Sequence, residues 1–414
     1  MGHIINLIRR AWGVFRTKGI KGTVAIVKEM DNQMDVPSFY DFIMDDTPIE
    51  FAGDEKSELL NSKEVYVNWV IPEMGIGSGG HMNIFRFVQK LQDLGIKNRV
   101  YMFRCGALDS DKKLIDFINQ YYILDTDRIE VYHTTDNMKP AHAIIATAWQ
   151  TAYFVRKFEK AISKFYFVQD YEPYFFAVGS EYTFAENTYK FGLRGITAGD
   201  WLKDKLREEY NMKTESFGFS YDKELYTPKE KRDDVKRLFF YARPVTPRRA
   251  FELGLLALTE VSKRVPDVEV VFAGWDVGGY KIPFKHLNAG SVPLDQLSDL
   301  YAQCDMCLVL SNTNLSLLPL EVMASNSVAV CTKGDNSSWL VNDENSIMVD
   351  FDPIKIADTL SYYLDNREKL ESIREKGLKF AQSTSWEKEA KKVYNAVIEG
   401  IKEDGKTQGI DFRW

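Results

Sequence analysis

The chain has 414 residues and a formal net charge of -7 at pH 7. This length exceeds what one hydrophobic core usually organises, and the 45% hydrophobic and 13% aromatic content excludes a disordered chain, so we expect two globular domains. The acidic balance argues against a nucleic-acid partner, because binding to phosphate backbones requires a concentrated basic surface.

The first 30 residues carry several basic side chains and no acidic residue before Glu29. Apolar side chains recur there at helical spacing, namely Ile5, Ile8, Trp12 and Phe15. The pattern predicts a basic amphipathic helix within a helical segment over 1–50. Such a helix either lies on an anionic membrane or holds a lipid-linked or polymeric acceptor; packing on its own domain is the alternative.

Apolar strands alternate with amphipathic helices from Val65 onward, which indicates parallel α/β architecture. A charged stretch, TPKEKRDDVK, interrupts this pattern at 227–236 and is typical of an interdomain linker. The sequence therefore predicts two Rossmann-like doubly wound domains, over 51–230 and 231–383. Ligands bind beyond the carboxyl ends of parallel strands, so we expect the site in a cleft between these domains.

A glycine-rich loop, MGIGSGGH, stands between the first strand and the next helix. Gly75, Gly77 and Gly80 match a dinucleotide-binding pattern, but the following strand ends near Arg104, where that fingerprint needs an acidic residue. A nicotinamide enzyme is therefore disfavoured. Glycines at a helix N-terminus still let backbone N–H groups approach an anion, and Gly79 and Gly80 are the best placed to do so.

Asp170 and Glu172 follow a strand of the first domain, in the segment VQDYEP. Because this position faces the expected cleft, both are candidates for binding or polarising the acceptor and the sugar; an ordinary polar loop is the alternative. Two pairs, Asp109–Asp111 and Asp125–Asp127, imitate the DxD motif of metal-dependent transferases. Neither pair follows a strand as a nucleotide-sugar metal site requires, so we predict no metal.

Three arginines, Arg243, Arg248 and Arg249, lie in a loop directly after the first strand of the second domain. Pro244 and Pro247 stiffen that loop. Guanidinium groups at the carboxyl end of a strand suit a diphosphate that leaves with growing negative charge, and they can replace a metal there. Solvated surface arginines are the alternative.

The four cysteines show no disulfide spacing, and the CxxC pair among them is typical of packing thiols. They are Cys105, Cys304, Cys307 and Cys331. No apolar stretch is long enough to span a bilayer. We therefore predict a cytoplasmic protein, peripheral at the inner face of the membrane if the basic helix binds lipid.

Glu321 opens a helix at another strand-to-helix junction. A carboxylate there either accepts both hydroxyls of a ribose or caps its own helix. Further on, Thr384 and Glu387 fit a capping box for a last helix over 384–414. We expect the apolar face of that helix to pack back on the first domain.

The segments FAGWD, HLNAGSVPLDQLSDLYAQCDMCLVLS and PLEVMASNSVAV, between Arg243 and Thr332, resemble the donor half of glycosyltransferase family four, a retaining family with the GT-B fold. In the first domain, YFVQDYEPYFFAVGSEYTFAENTY and GITAGDWLKDKL resemble more narrowly a bacterial rhamnosyltransferase type that extends S-layer glycans from dTDP-rhamnose. The resemblance implies a GT-B enzyme with a nucleotide-sugar donor, a glycan acceptor and no cofactor.

The resemblance also implies roles for residues that match the family pattern. The arginines contact the donor diphosphate, the glycines close over the phosphate, the segment 288–292 lies beside the base and the glutamate holds the ribose. The matching donor-binding residues are Gly79, Gly80, Arg243, Arg248, Asn288, Val292 and Glu321, with Arg249 a near alternative to Arg248.

The sequence departs from the family at Thr313, which occupies the place of a glutamate that touches the donor sugar. The usual Gly-Phe-Gly that follows is Asn314, Leu315 and Ser316. We assign these four residues to the donor site. Since a deoxy sugar presents a methyl group where a hexose presents a hydroxyl, we expect Leu315 to pack on that methyl.

Together these features predict retaining transfer of L-rhamnose from dTDP-L-rhamnose to a hydroxyl of a growing cell-surface rhamnan glycan, such as that of an S-layer. Asp170, Glu172 and Arg249 are the catalytic candidates. Two alternatives stay open. One is a transferase that uses a UDP-hexose, and the other is a non-catalytic glycan-binding protein of the same fold, which the missing glutamate favours.

Overall fold

The structure, a computed structural model, describes residues 35–412. The basic amphipathic helix expected within 1–30 lies outside these residues. Contacts divide the chain into two units, Met1–Thr47 and Pro48–Trp414. The described part of the first unit holds two short helices, α1 (Val36–Phe39) and α2 (Asp41–Met44). None of the described helices is long and apolar enough to cross a membrane.

The second unit contains two parallel sheets, each the centre of one lobe. The N-lobe is built on seven strands in the order β3-β2-β1-β4-β5-β6-β7. Its strands are β1 (Tyr66–Pro72), β2 (Lys97–Phe103), β3 (Glu130–Tyr132), β4 (Ala141–Ala146), β5 (Ala161–Val168), β6 (Arg194–Ala198) and β7 (Thr214–Phe217). Its helices are α3 (Glu55–Asn61), α4 (Gly79–Asp93), α5 (Asp111–Tyr121), α6 (Trp149–Lys157), α7 (Ser180–Asn187) and α8 (Asp200–Tyr210), with 3₁₀ helices at Glu172–Phe175 and Thr188–Lys190.

The C-lobe follows the linker and is built on six strands in the order β10-β9-β8-β11-β12-β13. Its strands are β8 (Arg237–Tyr241), β9 (Glu269–Ala273), β10 (His286–Gly290), β11 (Met306–Val309), β12 (Val328–Thr332) and β13 (Ile347–Val349). Its helices are α9 (Phe251–Arg264), α10 (Leu294–Ala302), α11 (Leu318–Ala324), α12 (Asp335–Ser338), α13 (Pro353–Asp365) and α14 (Glu368–Ser383), with a 3₁₀ helix at Pro247–Arg249.

The central strands are buried along most of their length because helices cover both faces of each sheet. Strands β4 and β11, for example, contain only buried residues. Strand order reverses between β1 and β4 in the N-lobe and between β8 and β11 in the C-lobe, and these reversals are where parallel sheets bind ligands. The predicted pair of doubly wound domains is confirmed.

The last helix, α15 (Trp386–Thr407), packs against α4, β5 and β7 of the N-lobe. Arg194 at the start of β6 pairs with Asp404 at 2.6 Å and with Glu403 at 2.8 Å. The predicted capping box at Thr384 is wrong by one residue. Ser385 is the N-cap and accepts from the Lys388 amide, whereas the Thr384 hydroxyl donates to the Ala381 carbonyl. The chain therefore enters the helix one residue later than the motif suggests.

The two lobes also meet where Trp339, just after α12, lies over Gly199 at the end of β6. A Cβ on Gly199, whose φ is +85°, would overlap the Trp339 indole. Phe219 stacks edge-on against the same indole, with ring centres 5.1 Å apart. Glycine is therefore required here both by the backbone conformation and by the close approach of the C-lobe.

We expect Gly400→Ala to destabilise the protein. Gly400 lies in α15, and a Cβ there would come within 2.5 Å of the Phe165 ring in β5, so the helix or the ring must move. Over-packing of this kind costs about 1–3 kcal/mol. Chemical denaturation measures it. The matched control is Gly106→Ala, where an added Cβ meets no atom within 4 Å, and equal stabilities of the two variants would contradict the packing account.

Candidate active site

The arginine loop, residues 242–250, follows β8 at the strand-order reversal of the C-lobe. Its conformation is fixed by backbone hydrogen bonds: the Arg249 amide donates to Thr246, and the Asn312 amide donates to the Arg248 carbonyl at 2.8 Å. The side chains of Arg243 and Arg249 donate to the Gly274 and Leu315 carbonyls at 3.4 and 3.5 Å. Carbonyls that follow β9 and β11 therefore hold the guanidinium groups of Arg243 and Arg249, and Arg248 is held through its backbone.

Within residues 35–412, Arg243, Arg248 and Arg249 make no ion pair. Burial is the main reason that the pKa values of Arg248 and Arg249 are lowered, and the neighbouring arginines add to the effect. The Nε atom of Arg248 is buried without a hydrogen-bond partner. Positive charge is thus concentrated here without an ion-paired acid, an arrangement that suits phosphate groups.

Asp170, directly after β5 of the N-lobe, faces this cluster and is only 8% exposed. Its Oδ1 accepts from the backbone amide of Asn314 in the C-lobe at 3.2 Å. Burial raises the pKa of Asp170, while Thr313, Arg248 and Arg249 act in the opposite direction. The carboxylate is therefore a component of the lobe interface beside the arginines, as its place in the sequence suggests.

The donor-site loop 313–316 follows β11 and joins the two lobes. Asn314 donates from Nδ2 to the Gln169 carbonyl at 2.9 Å, and its Oδ1 accepts from the Ser316 amide at 3.1 Å. Ser316 adopts a left-handed conformation, with φ of 61°. Asn314 therefore holds the loop in shape and attaches it to the N-lobe.

Two residues of this loop do not face a ligand. Thr313 and Leu315 are both 0% exposed, because their side chains point into the protein. The expectation that Leu315 packs on a donor methyl group is therefore wrong. Leu315 contributes through its backbone, since its carbonyl accepts from Arg249.

The glycine loop lies at the N-terminus of α4, across from the arginines. The first amides of a helix have no partner within the helix, and a Cβ at Gly79 would meet no atom within 4 Å, so this N-terminus is open to a ligand. Gly80 is connected to the lobe interface by a 3.0 Å hydrogen bond from Gln169 Nε2 to the Gly80 carbonyl.

His81, the next residue, is held by hydrogen bonds with the Ser78 hydroxyl and the Pro72 carbonyl. Burial lowers the pKa of His81, which keeps the ring neutral.

Glu172 does not project into the cleft, contrary to the expectation for a catalytic acid. Its carboxylate accepts from the Trp149 amide at 2.9 Å and from the Tyr166 hydroxyl at 2.5 Å, and the side chain is buried in the N-lobe. Burial raises the pKa of Glu172 to about 7. The residue anchors the 3₁₀ helix Glu172–Phe175, which is a structural function.

Glu321 lies in the first turn of α11, where the sequence places a ribose-binding acid. Burial raises its pKa to about 7, although Arg86 and a hydrogen bond with Tyr226 act in the opposite direction. Arg86 comes from α4 of the N-lobe, and its guanidinium lies 4.4 Å from the Trp386 ring centre. Sequence reasoning missed Arg86 and Tyr226, because Arg86 lies on a helix face and Tyr226 just before the linker, and no motif surrounds either residue.

The segment assigned to the nucleotide base comprises β10 and the loop before α10. Asn288 is exposed, and its side chain bonds Asp276 at 2.6 Å and the Val277 amide at 3.3 Å. Val292 is half-buried in the following loop. Trp275, which is 41% exposed, lies 5.9 Å from the Arg243 guanidinium, so an aromatic surface adjoins the arginine cluster.

Among residues 35–412, no group of three His, Cys, Asp or Glu side chains is placed to hold a metal ion. Three of the four aspartates in the two DxD-like pairs have local partners instead. Asp109 pairs with Lys113, Asp111 with His133, and Asp125 with Arg128.

Solved structures with the same fold support the assignment of the class. Sucrose-phosphate synthase from Thermosynechococcus elongatus matches with a TM-score of 0.62 at 11% identity, over 81% of this chain and 99% of that one. A glycosyltransferase from Rickettsia africae matches with a TM-score of 0.58 at 13% identity, over 82% and 100%. HepE from Anabaena, solved with UDP and glucose, matches with a TM-score of 0.57 at 14% identity, over 84% and 100%. These likenesses show that the chain has the GT-B fold.

Two family profiles match in the order of the lobes. The profile "WsaF, N-terminal domain" covers residues 106–198, and "WsaF, C-terminal domain" covers residues 236–361. The chain therefore belongs to the WsaF family. The O-antigen biosynthesis protein RfbC from Myxococcus xanthus is 33% identical over 260 residues, which are 61% of this chain and 20% of RfbC, so the chain spans about a fifth of that relative.

We expect Glu172→Gln to flatten the dependence of stability on pH. The folded carboxyl, with a pKa of about 7 against an ordinary 4.5, binds its proton more tightly than the unfolded one, so wild-type stability falls as pH rises from 4.5 through 7. Removing this group should reduce that fall by about 2–3 kcal/mol.

Urea unfolding at pH 5 and pH 8 measures the difference. Glu321→Gln removes a second carboxyl with a raised pKa and serves as a comparison, while Glu208→Gln, at an exposed position, is the control. An unchanged slope in Glu172→Gln would mean that the buried carboxyl does not take up a proton in this range.

Proposed function

We propose that this chain transfers L-rhamnose from dTDP-L-rhamnose to a hydroxyl group of a growing cell-surface rhamnan glycan, with retention of the anomeric configuration and without a metal. The observation that carries the proposal is the arginine cluster, which lies at the lobe interface of a WsaF-family transferase without an ion-paired acid. A diphosphate is the anion that such a transferase must bind and release.

The arginines stabilise the leaving diphosphate in place of a metal ion. As the bond between C1 of the sugar and the diphosphate oxygen breaks, negative charge grows on the diphosphate. Arg243 and Arg248 neutralise that charge from the C-lobe, and the helix amides at Gly79 and Gly80 do so from the N-lobe. Arg249 is buried beneath them and keeps the loop in place through Leu315.

Retention follows from a front-face reaction. The acceptor oxygen bonds to C1 on the side from which the diphosphate leaves, and the departing oxygen takes the acceptor proton. This route needs no enzyme nucleophile. The environments of Asp170 and Glu172 support it, because one carboxylate is bound to the Asn314 amide and the other to Trp149 and Tyr166.

The donor and acceptor follow from the family resemblance of the sequence. A deoxy sugar agrees with the absence of a carboxylate at position 313, because a deoxy sugar lacks a hydroxyl that such a carboxylate could bind. RfbC is an O-antigen biosynthesis protein, which supports a lipid-linked or polymeric cell-surface glycan as the acceptor. We propose that the reaction takes place in the cytoplasm, and at the inner face of the membrane if residues 1–30 bind lipid rather than the acceptor.

We expect Arg248→Ala to lower kcat by about 100-fold to 1000-fold, because it removes a donor of charge-assisted hydrogen bonds to the leaving group. Mass spectrometry of product formed from dTDP-L-rhamnose and a synthetic rhamnoside measures the rate. Arg232→Ala is the control, since Arg232 is exposed and pairs with Asp299 on the surface. A folded Arg248→Ala variant with wild-type turnover would refute the role.

We expect dTDP to bind more tightly than UDP, and EDTA to leave the affinity unchanged, because arginines rather than a cation hold the diphosphate. Isothermal titration of each nucleotide, with and without EDTA, tests both points. Tighter binding of UDP would favour the UDP-hexose alternative. Loss of dTDP binding in EDTA would contradict the metal-independent site, and binding without any transfer would favour the glycan-binding alternative.

A further inference from the structure

An exposed apolar segment, residues 174–178, follows the buried Glu172 in the N-lobe. Tyr174 is 43% exposed, Phe175 37% and Val178 90%. Soluble proteins seldom expose several large apolar side chains together unless the surface binds something. None of these three residues is among those assigned to the donor.

The segment borders the donor site. The 3₁₀ helix Glu172–Phe175 contacts the 3₁₀ helix Pro247–Arg249 of the C-lobe. The guanidinium carbon of Arg248 lies 4.2 Å from the centre of the Phe175 ring, which is the distance of a close cation–π contact. One aromatic ring therefore touches the residue assigned to the donor diphosphate and is still more than one-third open to solvent.

The exposed rings are supported from behind by a tyrosine cluster. Tyr171 is buried, packs edge-on against Tyr174 with ring centres 4.6 Å apart, and stacks on Tyr189 at 5.5 Å. Tyr171 also shares a hydrogen bond with the Tyr210 hydroxyl on α8. Tyr174 is therefore backed by buried rings rather than carried on an unsupported loop, which limits the entropy lost when a ligand binds.

We propose that Tyr174, Phe175 and Val178 form the acceptor subsite, on which the apolar face of a sugar ring of the acceptor glycan stacks next to the transferred sugar. This inference rests on the proposed function and specifies where the second substrate binds. A pyranose presents C–H groups on one face and hydroxyls around its rim, so an aromatic surface binds the face and leaves the rim hydrated.

Two features favour a sugar over a lipid surface as the occupant. The segment lies against the arginine loop of the other lobe, so it is continuous with the site where the new bond must form. A 6-deoxy sugar also carries a methyl group in place of a hydroxymethyl group, which enlarges its apolar surface and suits Val178 beside the rings.

The test separates acceptor binding from donor binding. Tyr174→Ala and Val178→Ser should each raise the KM for a fluorescently tagged rhamnose disaccharide, Tyr174→Ala by about ten-fold, the equivalent of ~1.4 kcal/mol. The Kd for dTDP, measured by titration, should stay within about two-fold of the wild-type value, because these residues do not bind the donor. A two-fold change in Kd corresponds to ~0.4 kcal/mol of binding free energy. Tyr174→Phe, which keeps the ring, should restore most of the acceptor affinity.

Tyr362→Ala is the matched control, because Tyr362 is 47% exposed on α13 of the C-lobe. An unchanged acceptor KM in Tyr174→Ala and Val178→Ser overturns the subsite while wild-type transfer still supports the proposed function. Absence of transfer by the wild type, with every donor tried, overturns the proposed function itself. Loss of binding to phosphatidylglycerol vesicles with an unchanged acceptor KM assigns the segment to a membrane and also overturns the subsite.

Discussion

The hydrogen bonds between Asn314 and the loop after β5 connect the two lobes at the proposed donor site. Asn314 contacts the Gln169 carbonyl and the Asp170 carboxylate, and Gln169 in turn contacts the Gly80 carbonyl. Because Asn312 also holds the Arg248 carbonyl, the arginine loop, the donor-site loop and the glycine loop belong to one hydrogen-bonded assembly. Movement of one lobe relative to the other therefore changes the distance between the positive groups of the two lobes.

The same assembly explains how unpaired arginines are tolerated in a folded protein. Like charges close together repel one another, and burial weakens their hydration. Asp170 and the aromatic rings of Tyr241, Trp275 and Phe175 offset part of this cost without supplying a surface ion pair. In the proposed function a bound diphosphate completes the neutralisation, so donor binding should also stabilise the contact between the lobes.

The sequence was sufficient to predict the features that depend on periodicity and on strand ends. Alternating strands and helices gave the two doubly wound lobes, and loops after strands gave Arg243, Arg248 and Asp170 as neighbours of one interface. The direction of a side chain within a loop has no such signature. Glu172 and Leu315 face the interior because a 3₁₀ helix and a left-handed Ser316 turn them there, and neither conformation is encoded by spacing alone.

Contacts between segments that are distant in the sequence could not be predicted either. Burial raises the pKa of Glu321 in α11 and the charge of Arg86 on α4 opposes that shift, and only the folded structure brings these two side chains within electrostatic range. A single sequence does not show that pairing. The helix cap at Ser385 differs from the expected Thr384 for a similar reason, since two adjacent hydroxyl residues both fit the motif and the tertiary path of the chain selects one.

The contact between Gly199 and Trp339 has a consequence for how far the lobes approach. At this point the Trp339 indole lies against the backbone of Gly199, with no room between them for even a Cβ atom. A single methyl group at position 199 would act as a wedge. The separation between the two lobes, and with it the distance between the arginines and the glycine loop, thus depends on the absence of a side chain at Gly199.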